Sequence, residues 1–346
     1  DGPCSTKGCI DPVSTDPGGH GTHVAGTIAA AKNGLGVTGV APGVRLIDLR
    51  AGTKTGMFFL GPSINAITAA ADLDADVANM SFYIDPWRYA CHGGAPGDEP
   101  DEAAMQEVTI ELTQRAITDA RKRGVTFVGS AGNGGGDLSE PGVDDTSPNY
   151  GGTARERTIN PDRCLSLPSD VADVIGVTAV GPDRALAHYS DMSSDPDDDL
   201  VDIAAPGGDG FETTDAVLST YPLAGLRDEG LVDGRGQVTS EGRYQGVLRA
   251  CPDGIGADDP DPEGRCGFYR TLVGTSMAAP HVSGTAALIV GAKGDPGPDE
   301  VAAILSRTAS HLPCPASSAP AGRCVGTPLD NGYFGQGLVN AGAAVR

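Results

Sequence analysis

One short segment near the end of the sequence carries a serine in a setting that favours attack on a carbonyl group. The segment GTSMAAPHVSG begins at Gly274 and leads into an apolar helix whose first turn contains Ser276. A serine at that position lies beside unpaired backbone N–H groups and the positive end of the helix dipole, which can bind negative charge on a carbonyl oxygen. A serine that only caps the helix fits the same pattern, so Ser276 alone leaves both interpretations open.

A histidine near the start of the sequence can supply the base that such a serine needs. The segment HGTHVAGTIAA begins at His20, after Gly18 and Gly19, so its side chain can project toward a site. A serine hydroxyl is a weak nucleophile unless a base takes its proton, and the unperturbed pKa of histidine lies near neutrality. His23, one turn further along the predicted helix, fits a structural role.

The segment GSAGN, which begins at Gly129, ends an apolar strand with small residues and an amide. Small residues let a substrate backbone approach closely, and Asn133 follows at the exit of the strand, where ligands bind in α/β folds. Its side-chain N–H can point at a carbonyl oxygen that gains negative charge. A simple turn residue is the alternative interpretation of Asn133.

Taken together, the three strings and their order resemble the subtilisin-like serine endopeptidases, the subtilases. The resemblance runs from about Gly18 to the C-terminus and implies that His20 takes the proton from Ser276, which attacks a peptide carbonyl and forms an acyl-enzyme. It also implies that the Asn133 side chain and the Ser276 N–H stabilise the oxyanion. The implied substrates are proteins or peptides, and no cofactor is implied for catalysis.

The resemblance also implies a substrate groove and a structural calcium site. The strand VANMSF would pair with the extended substrate backbone by strand addition. The implied groove residues are Ser81 and Phe82 on one wall and Ser130, Ala131 and Gly132 on the other. The family has a small residue where this sequence has Tyr83, which alters the expected specificity pocket. The loop KNGLGVTGVAP resembles a calcium loop, and its oxygen ligands would come from Ala31, Asn33, Leu35 and Val37.

The family's catalytic aspartate has no clear counterpart in this sequence. In subtilases it ends an apolar strand, in an Asp-Ser/Thr-Gly motif before the histidine. The 19 residues that precede His20 offer Asp1, Asp11 and Asp16, and none of these follows an apolar run. We therefore expect the first strand and its aspartate to lie upstream of Asp1, in a longer precursor with a signal peptide and a propeptide. By itself, the chain is then expected to be nearly inactive.

Strand-like and helix-like segments alternate along the sequence. The apolar strand-like runs begin near residues 44, 76, 124 and 171, and the helical stretches between them begin at His20, Pro62 and Asp101. This alternation predicts an α/β fold of three layers, with a mostly parallel sheet covered by helices on both faces. We expect one domain over residues 1–346 that lacks its N-terminal strand. Surface insertions are expected at about 84–100, 134–165 and 221–267.

Charge and cysteine content restrict the partners and the compartment. The net charge of −22 disfavours nucleic acid and anionic membrane surfaces as partners, and no apolar run approaches the ~18 residues of a membrane span. Eight cysteines in loop-like surroundings predict disulfides and an oxidising compartment, so a secreted monomer is expected. The predicted pairs are Cys4–Cys9, Cys91–Cys164, Cys251–Cys266 and Cys314–Cys324.

Two other functional classes are alternatives to a protease. The first is a subtilisin-like binding protein or fragment that keeps the fold without activity, although the serine, histidine and asparagine all stand inside intact motifs. The second is an esterase of the α/β-hydrolase type, which expects G-x-S-x-G and the order Ser, Asp, His. Ser276 follows Gly-Thr and His20 precedes it, so the sequence disfavours the esterase.

Overall fold

A four-stranded parallel sheet lies at the centre of the fold. The structure, a computed structural model, describes residues 16, 18–195, 198, 200–210, 214–252, 264–315 and 324–346. The strands are β1 Val77–Met80, β2 Ala90–Cys91, β3 Thr126–Ser130, β4 Val143–Asp144, β5 Arg157–Thr158, β6 Cys164–Leu165, β7 Val174–Val180, β8 Ile203–Pro206, β9 Val217–Thr220, β10 Val247–Ala250 and β11 Gly267–Leu272. The helices are α1 His20–Ala29, α2 Leu60–Asp72, α3 Pro100–Lys122, α4 Leu223–Asp228, α5 Ser240–Tyr244, α6 Thr275–Lys293, α7 Pro298–Thr308 and α8 Ala341–Ala344. The central sheet has the order β1-β3-β7-β8.

The sheet is buried on both faces, because side chains on a strand alternate between its two sides. On β3, Phe127 packs in the cluster formed with α2 and α3, whereas Val128 packs in the cluster formed with α6 and α7. All pairings within the sheet are parallel. The predicted α/β fold, a parallel sheet with helices on both faces, is confirmed.

Helix α6 is the buried helix that carries Ser276. Its sheet-facing side is made of small and branched residues, and Ala278, Ala279, Val282 and Ala286 have no exposed surface. Small side chains let the helix axis approach the sheet closely, so the start of α6 is held at the carboxyl ends of β1 and β3. This is the edge of a parallel α/β sheet where ligands bind.

The strand predicted at residues 44–51 is wrong. The structure assigns no strand there, and Leu46 and Ile47 keep 53% and 44% of their surface exposed. A strand requires a neighbour that pairs with its backbone N–H and C=O groups. No strand in the described part of the chain forms a β-ladder with this segment.

The predicted helices form with small shifts at their ends. Helix α2 begins at Leu60, so Pro62 is its third residue rather than its first. The shift costs no hydrogen bond, because the first turn of a helix leaves its N–H groups unpaired. Helix α3 ends as expected before Gly124, whose φ of +105° is open to glycine and strained for other residues.

Disulfide bonds join three of the four predicted cysteine pairs. The structure contains Cys91–Cys164, Cys251–Cys266 and Cys314–Cys324. The predicted Cys4–Cys9 pair lies outside the described residues. The Cys91–Cys164 bond joins two strands, β2 and β6, that pair with each other, so the stretches predicted as insertions at 84–100 and 134–165 pack together.

A buried arginine joins these same two stretches. The Arg157 side chain is fully buried and donates five hydrogen bonds, which match the five N–H groups of a guanidinium. Its acceptors include both carboxylate oxygens of Asp98 and one oxygen of Asp144, each at 3.0 Å. The third stretch, 221–267, contains α4, α5 and β10, and β10 pairs with β11 next to β9.

We predict that Asp98→Asn destabilises the fold in a pH-dependent manner. Burial alone raises the pKa of Asp98, but hydrogen bonds from Arg157, Gln106 and the Ala95 N–H outweigh it and hold the pKa well below its usual value. The charged form therefore stabilises the folded state above pH ~4, and this contribution is lost as the pH falls below the pKa of the unfolded chain. Urea unfolding should show a loss of about 3 kcal/mol at pH 7.

The matched control is Asp119→Asn, an exposed carboxylate on the same helix α3. It should change the free energy of unfolding by less than about 0.5 kcal/mol. At pH 3 the difference between the Asp98 variant and the unmodified protein should shrink. An equal loss at pH 7 and pH 3 would show that the charge of Asp98 does not contribute.

Candidate active site

Ser276 is the second residue of α6, next to the N-terminal end of the helix. Helix geometry leaves the N–H groups of the first turn without intrahelical acceptors. The N–H of Thr275 donates to Asn133 Oδ1 at 2.9 Å. The N–H of Ser276 has no acceptor among the residues that the structure describes, so it is open to a ligand.

A chain of polar side chains from β1 and α6 fixes the backbone at Ser276. Pro280 lies four residues after Ser276 and has no N–H, so the Ser276 carbonyl lacks its helical donor. The Ser81 Oγ donates to that carbonyl at 3.0 Å, and Asn79 Nδ2 donates to Ser81 Oγ at 2.9 Å. Ser283 Oγ in turn donates to Asn79 Oδ1 at 2.9 Å. The Ser81 hydroxyl thus replaces the backbone N–H that Pro280 lacks.

The Asn133 side chain is oriented by the residue next to Ser276. Its Oδ1 accepts hydrogen bonds from the N–H and from the Oγ1 of Thr275, at 2.9 and 3.0 Å. Both partners are donors, so this oxygen assignment of the amide is required. The Nδ2 group has no acceptor among the described residues, and Asn133 is exposed. Two N–H donors, Asn133 Nδ2 and Ser276 N, are therefore available beside the Ser276 hydroxyl.

A cleft of about 210 Å³ adjoins these donors. It is lined by Asn133, His188, Tyr189, Gly210, Val273 and Gly274. The Tyr189 hydroxyl donates to the carbonyls of Gly207 and Gly208, at 2.9 and 2.6 Å. A carbonyl compound in this cleft would lie next to the amide and the helix start.

His20 is the first residue of α1, and Asp16 caps this helix. Asp16 accepts hydrogen bonds from the Gly19 N–H and from the N–H and hydroxyl of Thr22. His20 is exposed, yet the surrounding protein desolvates its ring enough to lower its pKa, and the negative charge of Asp16 acts in the opposite direction. A lowered pKa keeps the ring neutral, as a proton acceptor must be.

The ring of His20 makes no hydrogen bond to Ser276 Oγ or to a carboxylate within the described residues. Of the three aspartates considered from the sequence, Asp16 is occupied by the helix cap, and Asp1 and Asp11 lie outside the described residues. Helix α1, which begins at His20, packs against α6, the helix that carries Ser276. Catalytic hydrogen bonds are often long in structures without substrate.

His23 has the structural role that its position suggested. It is fully buried, and its Nε2 contacts the carbonyls of Val217 and Arg270 at 3.0 and 3.1 Å. Burial, the largest cause, lowers its pKa to about 4. His23 therefore ties α1 to strands β9 and β11 and stays neutral at physiological pH.

The predicted groove residues lie on both sides of the start of α6. Ser81 is buried and bonded to the Ser276 carbonyl, and the Phe82 ring stacks on Phe58 with the ring centroids 4.3 Å apart. On the other side, Ser130 and Ala131 are buried, so these residues offer backbone rather than side chains. The Gly132 N–H donates to Thr275 Oγ1 at 3.2 Å.

Tyr83 is held by a residue of the stretch 134–165, the second of the predicted insertions. Its hydroxyl accepts a hydrogen bond from Asn149 Nδ2 at 2.7 Å, and the same amide group donates to Asp85 Oδ1 at 2.7 Å. Tyr83 remains 40% exposed. Burial, followed by the negative charge of Asp85, raises the pKa of Tyr83, so the phenol stays neutral. The bulky residue at this position is therefore fixed in place beside the groove.

The predicted calcium loop remains a prediction. Asn33 Oδ1 accepts a hydrogen bond from the Leu35 N–H at 3.0 Å, and the Leu35 carbonyl accepts one from the Tyr269 hydroxyl at 3.4 Å. The Ala31 carbonyl accepts from the Asn33 N–H at 3.0 Å. Each of these oxygens has a second lone pair, so the contacts neither build nor exclude a cation site. The described residues contain no group of three or more His, Cys, Asp or Glu side chains that could hold a metal ion.

Sequence reasoning missed the residues that orient the site. The motifs single out Ser276 and Asn133, but not Thr275, Asn79 or Ser283, which hold them in place. A signal existed in VANMSF, because Asn79 and Ser81 are two polar residues spaced two apart in an otherwise apolar run, a spacing that puts both side chains on one face of an extended chain. No sequence pattern pointed to Asn149, which lies far from Tyr83 along the chain.

Sequence comparisons find similar proteins along most of this chain. Residues 11–337 match the family model described as Subtilase family. Subtilisin DY from Bacillus licheniformis is 26% identical over 333 residues, which are 96% of this chain and 80% of the relative. Major intracellular serine protease from Bacillus subtilis (strain 168) is 29% identical over 277 residues, which are 80% of this chain and 56% of the relative.

A solved structure supports the fold separately. The crystal structure of a lanthipeptide protease matches with a TM-score of 0.62 and 24% sequence identity, over 97% of this chain and 77% of that chain. At this identity the likeness concerns the fold alone. The family match, by contrast, covers nearly the whole chain, including the segments around His20, Asn133 and Ser276. This chain belongs to the subtilase family.

Proposed function

We propose that this protein is a serine endopeptidase that hydrolyses peptide bonds through an acyl-enzyme on Ser276. The observation that carries the proposal is the pair of open N–H donors beside the Ser276 hydroxyl, one on Asn133 Nδ2 and one on the Ser276 backbone. Donors fixed in advance at the place where negative charge develops are the main source of catalysis in acyl transfer. Subtilase relatives need no cofactor for this chemistry.

Each residue of the site has one step in the proposed reaction. His20 takes the proton of the Ser276 hydroxyl while the oxygen attacks the substrate carbonyl, and Asn133 Nδ2 and Ser276 N–H bind the oxyanion. His20 then gives the proton to the leaving amine as the C–N bond breaks. A water molecule, deprotonated by His20, attacks the ester that remains and releases the acid and free Ser276.

The proposed substrates are extended protein or peptide segments. The backbone of Ser81 to Tyr83 would form one wall of the groove and that of Ser130 to Gly132 the other, so that main-chain pairing holds the substrate largely independently of its sequence. The stacked rings of Phe58 and Phe82 give the first wall an apolar side chain surface.

The carboxylate that orients His20 would come from outside the described residues. An imidazole without such a partner loses the group that fixes its tautomer and stabilises its protonated form. Residues 44–51 form a strand-like apolar run that is not part of a described sheet, with Leu46 and Ile47 exposed, which supports the idea that a further strand carrying an aspartate belongs to this fold. We expect that strand in a segment upstream of Asp1, together with a signal peptide and a propeptide.

We also propose that the protein is secreted and monomeric. Its three disulfides among the described residues are typical of proteins from oxidising compartments. No described helix combines the length and the apolar character needed to cross a bilayer. We further propose that a structural calcium ion binds at residues 31–37.

One observation favours the alternative, a subtilisin-like binding protein or fragment without activity. Within the described residues, no carboxylate accepts a hydrogen bond from His20. The alternative predicts a protein whose Ser276 reacts no faster than an ordinary surface serine. Activity-based labelling distinguishes the two functions.

We predict that a fluorophosphonate probe labels Ser276 in the protein extended upstream through its aspartate-bearing strand, and that labelling disappears in Ser276→Ala, as read by mass spectrometry of the labelled peptide. Asn133→Ala should lower kcat on a peptide substrate by ~10²–10³ with little change in KM, a range that comes from a subtilisin oxyanion donor. Asn160→Ala, which removes an amide in the second insertion, is the control and should leave kcat unchanged. A protein that is folded but unlabelled would contradict the proposed function.

We predict that Ser81→Ala lowers kcat by about fivefold, because the Ser276 carbonyl then loses a hydrogen bond worth about 1 kcal/mol. Steady-state kinetics on the same peptide measure the effect. Ser139→Ala, in the second insertion, is the matched control. An unchanged kcat for Ser81→Ala would show that this hydrogen bond does not position the nucleophile.

We predict that residues 1–346 alone turn over substrate ~10⁴-fold more slowly than a polypeptide extended upstream through an aspartate-bearing strand. Replacement of that aspartate by asparagine in the extended protein should return the rate to the lower value. Equal turnover of the two polypeptides would contradict the proposal and would place the carboxylate within this chain.

A further inference from the structure

A buried carboxylate, Asp191, lies directly under the loop that carries Asn133. Its side chain is 3% exposed. Its Oδ1 accepts hydrogen bonds from the N–H groups of Gly134 and Gly136, at 3.0 and 2.7 Å. Its own backbone N–H donates to the Gly132 carbonyl at 2.9 Å. One residue therefore binds the loop on both sides of Asn133.

The glycines of this loop make room for these contacts. A Cβ atom on Gly132 would lie 2.2 Å from Asp191 Oδ2, and Gly132 has a φ of +120°. A Cβ atom on Gly134 would lie 2.0 Å from the guanidinium of Arg88. The loop backbone thus lies directly against the carboxylate and its counter-ion, which only glycine at these two positions permits.

The counter-ion of Asp191 comes from the first insertion. Arg88 NH2 lies 2.9 Å from Asp191 Oδ2 and 3.2 Å from Oδ1. The Arg88 backbone N–H donates to Ser147 Oγ at 2.9 Å, and its guanidinium lies 5.3 Å from the centre of the Tyr89 ring. The 84–100 stretch, whose purpose the sequence left open, therefore reaches the loop of Asn133 through one ion pair.

We propose that Asp191 is a positioning residue that holds the 132–136 loop so that Asn133 Nδ2 faces the reaction centre, and that Arg88 couples the first insertion to it. This inference rests on the proposed function. Thr275 fixes how the Asn133 amide is rotated, whereas Asp191 fixes where the backbone that bears it lies. Both are needed, because a donor displaced by about 1 Å loses much of its effect on a developing charge.

A carboxylate suits this role better than a neutral residue would. Two backbone N–H groups converge on a single oxygen, Asp191 Oδ1, and charge-assisted hydrogen bonds are shorter and about twice as strong as neutral ones. A buried carboxylate needs a cation to offset its desolvation, and Arg88 provides it. Asp191→Asn keeps an acceptor for the loop and removes the attraction to Arg88, so it should act more weakly than Asp191→Ala.

The test is a double-mutant cycle between Asp191 and Asn133 in the protein extended upstream through its aspartate-bearing strand, measured with an internally quenched peptide that this unmodified protein cleaves. Asp191→Ala should lower kcat by at least about tenfold, up to the ~10²–10³ of Asn133→Ala itself, with KM nearly unchanged. In the Asn133→Ala background, Asp191→Ala should lower kcat no further, because the group it positions is already gone. Asp191→Asn should give an intermediate kcat.

The stability control is Asp144→Asn. This substitution neutralises another buried carboxylate, which is paired with Arg157 rather than with the loop of Asn133. It should lower Tm and leave the kcat of the folded enzyme unchanged.

The proposal is overturned if Asp191→Ala lowers Tm with kcat unchanged, or if its loss of kcat persists in full in the Asn133→Ala background. If Asp191→Ala does not fold, an unchanged kcat in Asp191→Asn overturns it equally. If the unmodified protein cleaves no peptide, the proposed function fails instead.

Discussion

The site depends on one constraint, the fixed position of the first turn of α6 at the carboxyl ends of β1 and β3. The buried small residues of α6 bring the helix against the sheet, and Pro280 leaves the Ser276 carbonyl without a helical donor. Ser81, the residue after β1, supplies that donor. Thr275, the residue before Ser276, binds the side-chain amide of Asn133, which follows β3. The serine, its backbone N–H and Asn133 are thus positioned by one packing arrangement.

Successive contacts connect this core to the surrounding parts of the chain. The loop of Asn133 rests on Asp191, and Asp191 is paired with Arg88 from the first insertion. That insertion is tied to the second one by a disulfide and by the buried guanidinium of Arg157. Stretches that look like surface loops in the sequence therefore pack together, and one of them reaches the loop of Asn133 through the Arg88–Asp191 pair.

Much of this architecture follows from local sequence patterns. The apolar runs that form β1, β3 and β7 and the helix signals of α1 to α3 are local, and so are the strings around His20, Asn133 and Ser276. Contacts between distant residues were not predictable, since Asp191 and Asn149 carry no distinguishing pattern of their own. The error at residues 44–51 has a related cause, because strand propensity is local whereas a strand exists only beside a partner.

The most direct test of this account is a crystal structure of the protein with a peptidyl boronic acid bound to Ser276 as a tetrahedral adduct. The account predicts one boronate oxygen within about 2.7–3.1 Å of both Asn133 Nδ2 and Ser276 N, and a second oxygen within hydrogen-bonding distance of the His20 ring. It also predicts that the Ser81 bond to the Ser276 carbonyl persists in the adduct. An adduct whose oxygens face away from Asn133, or a His20 ring that cannot reach Ser276, would contradict the central claim.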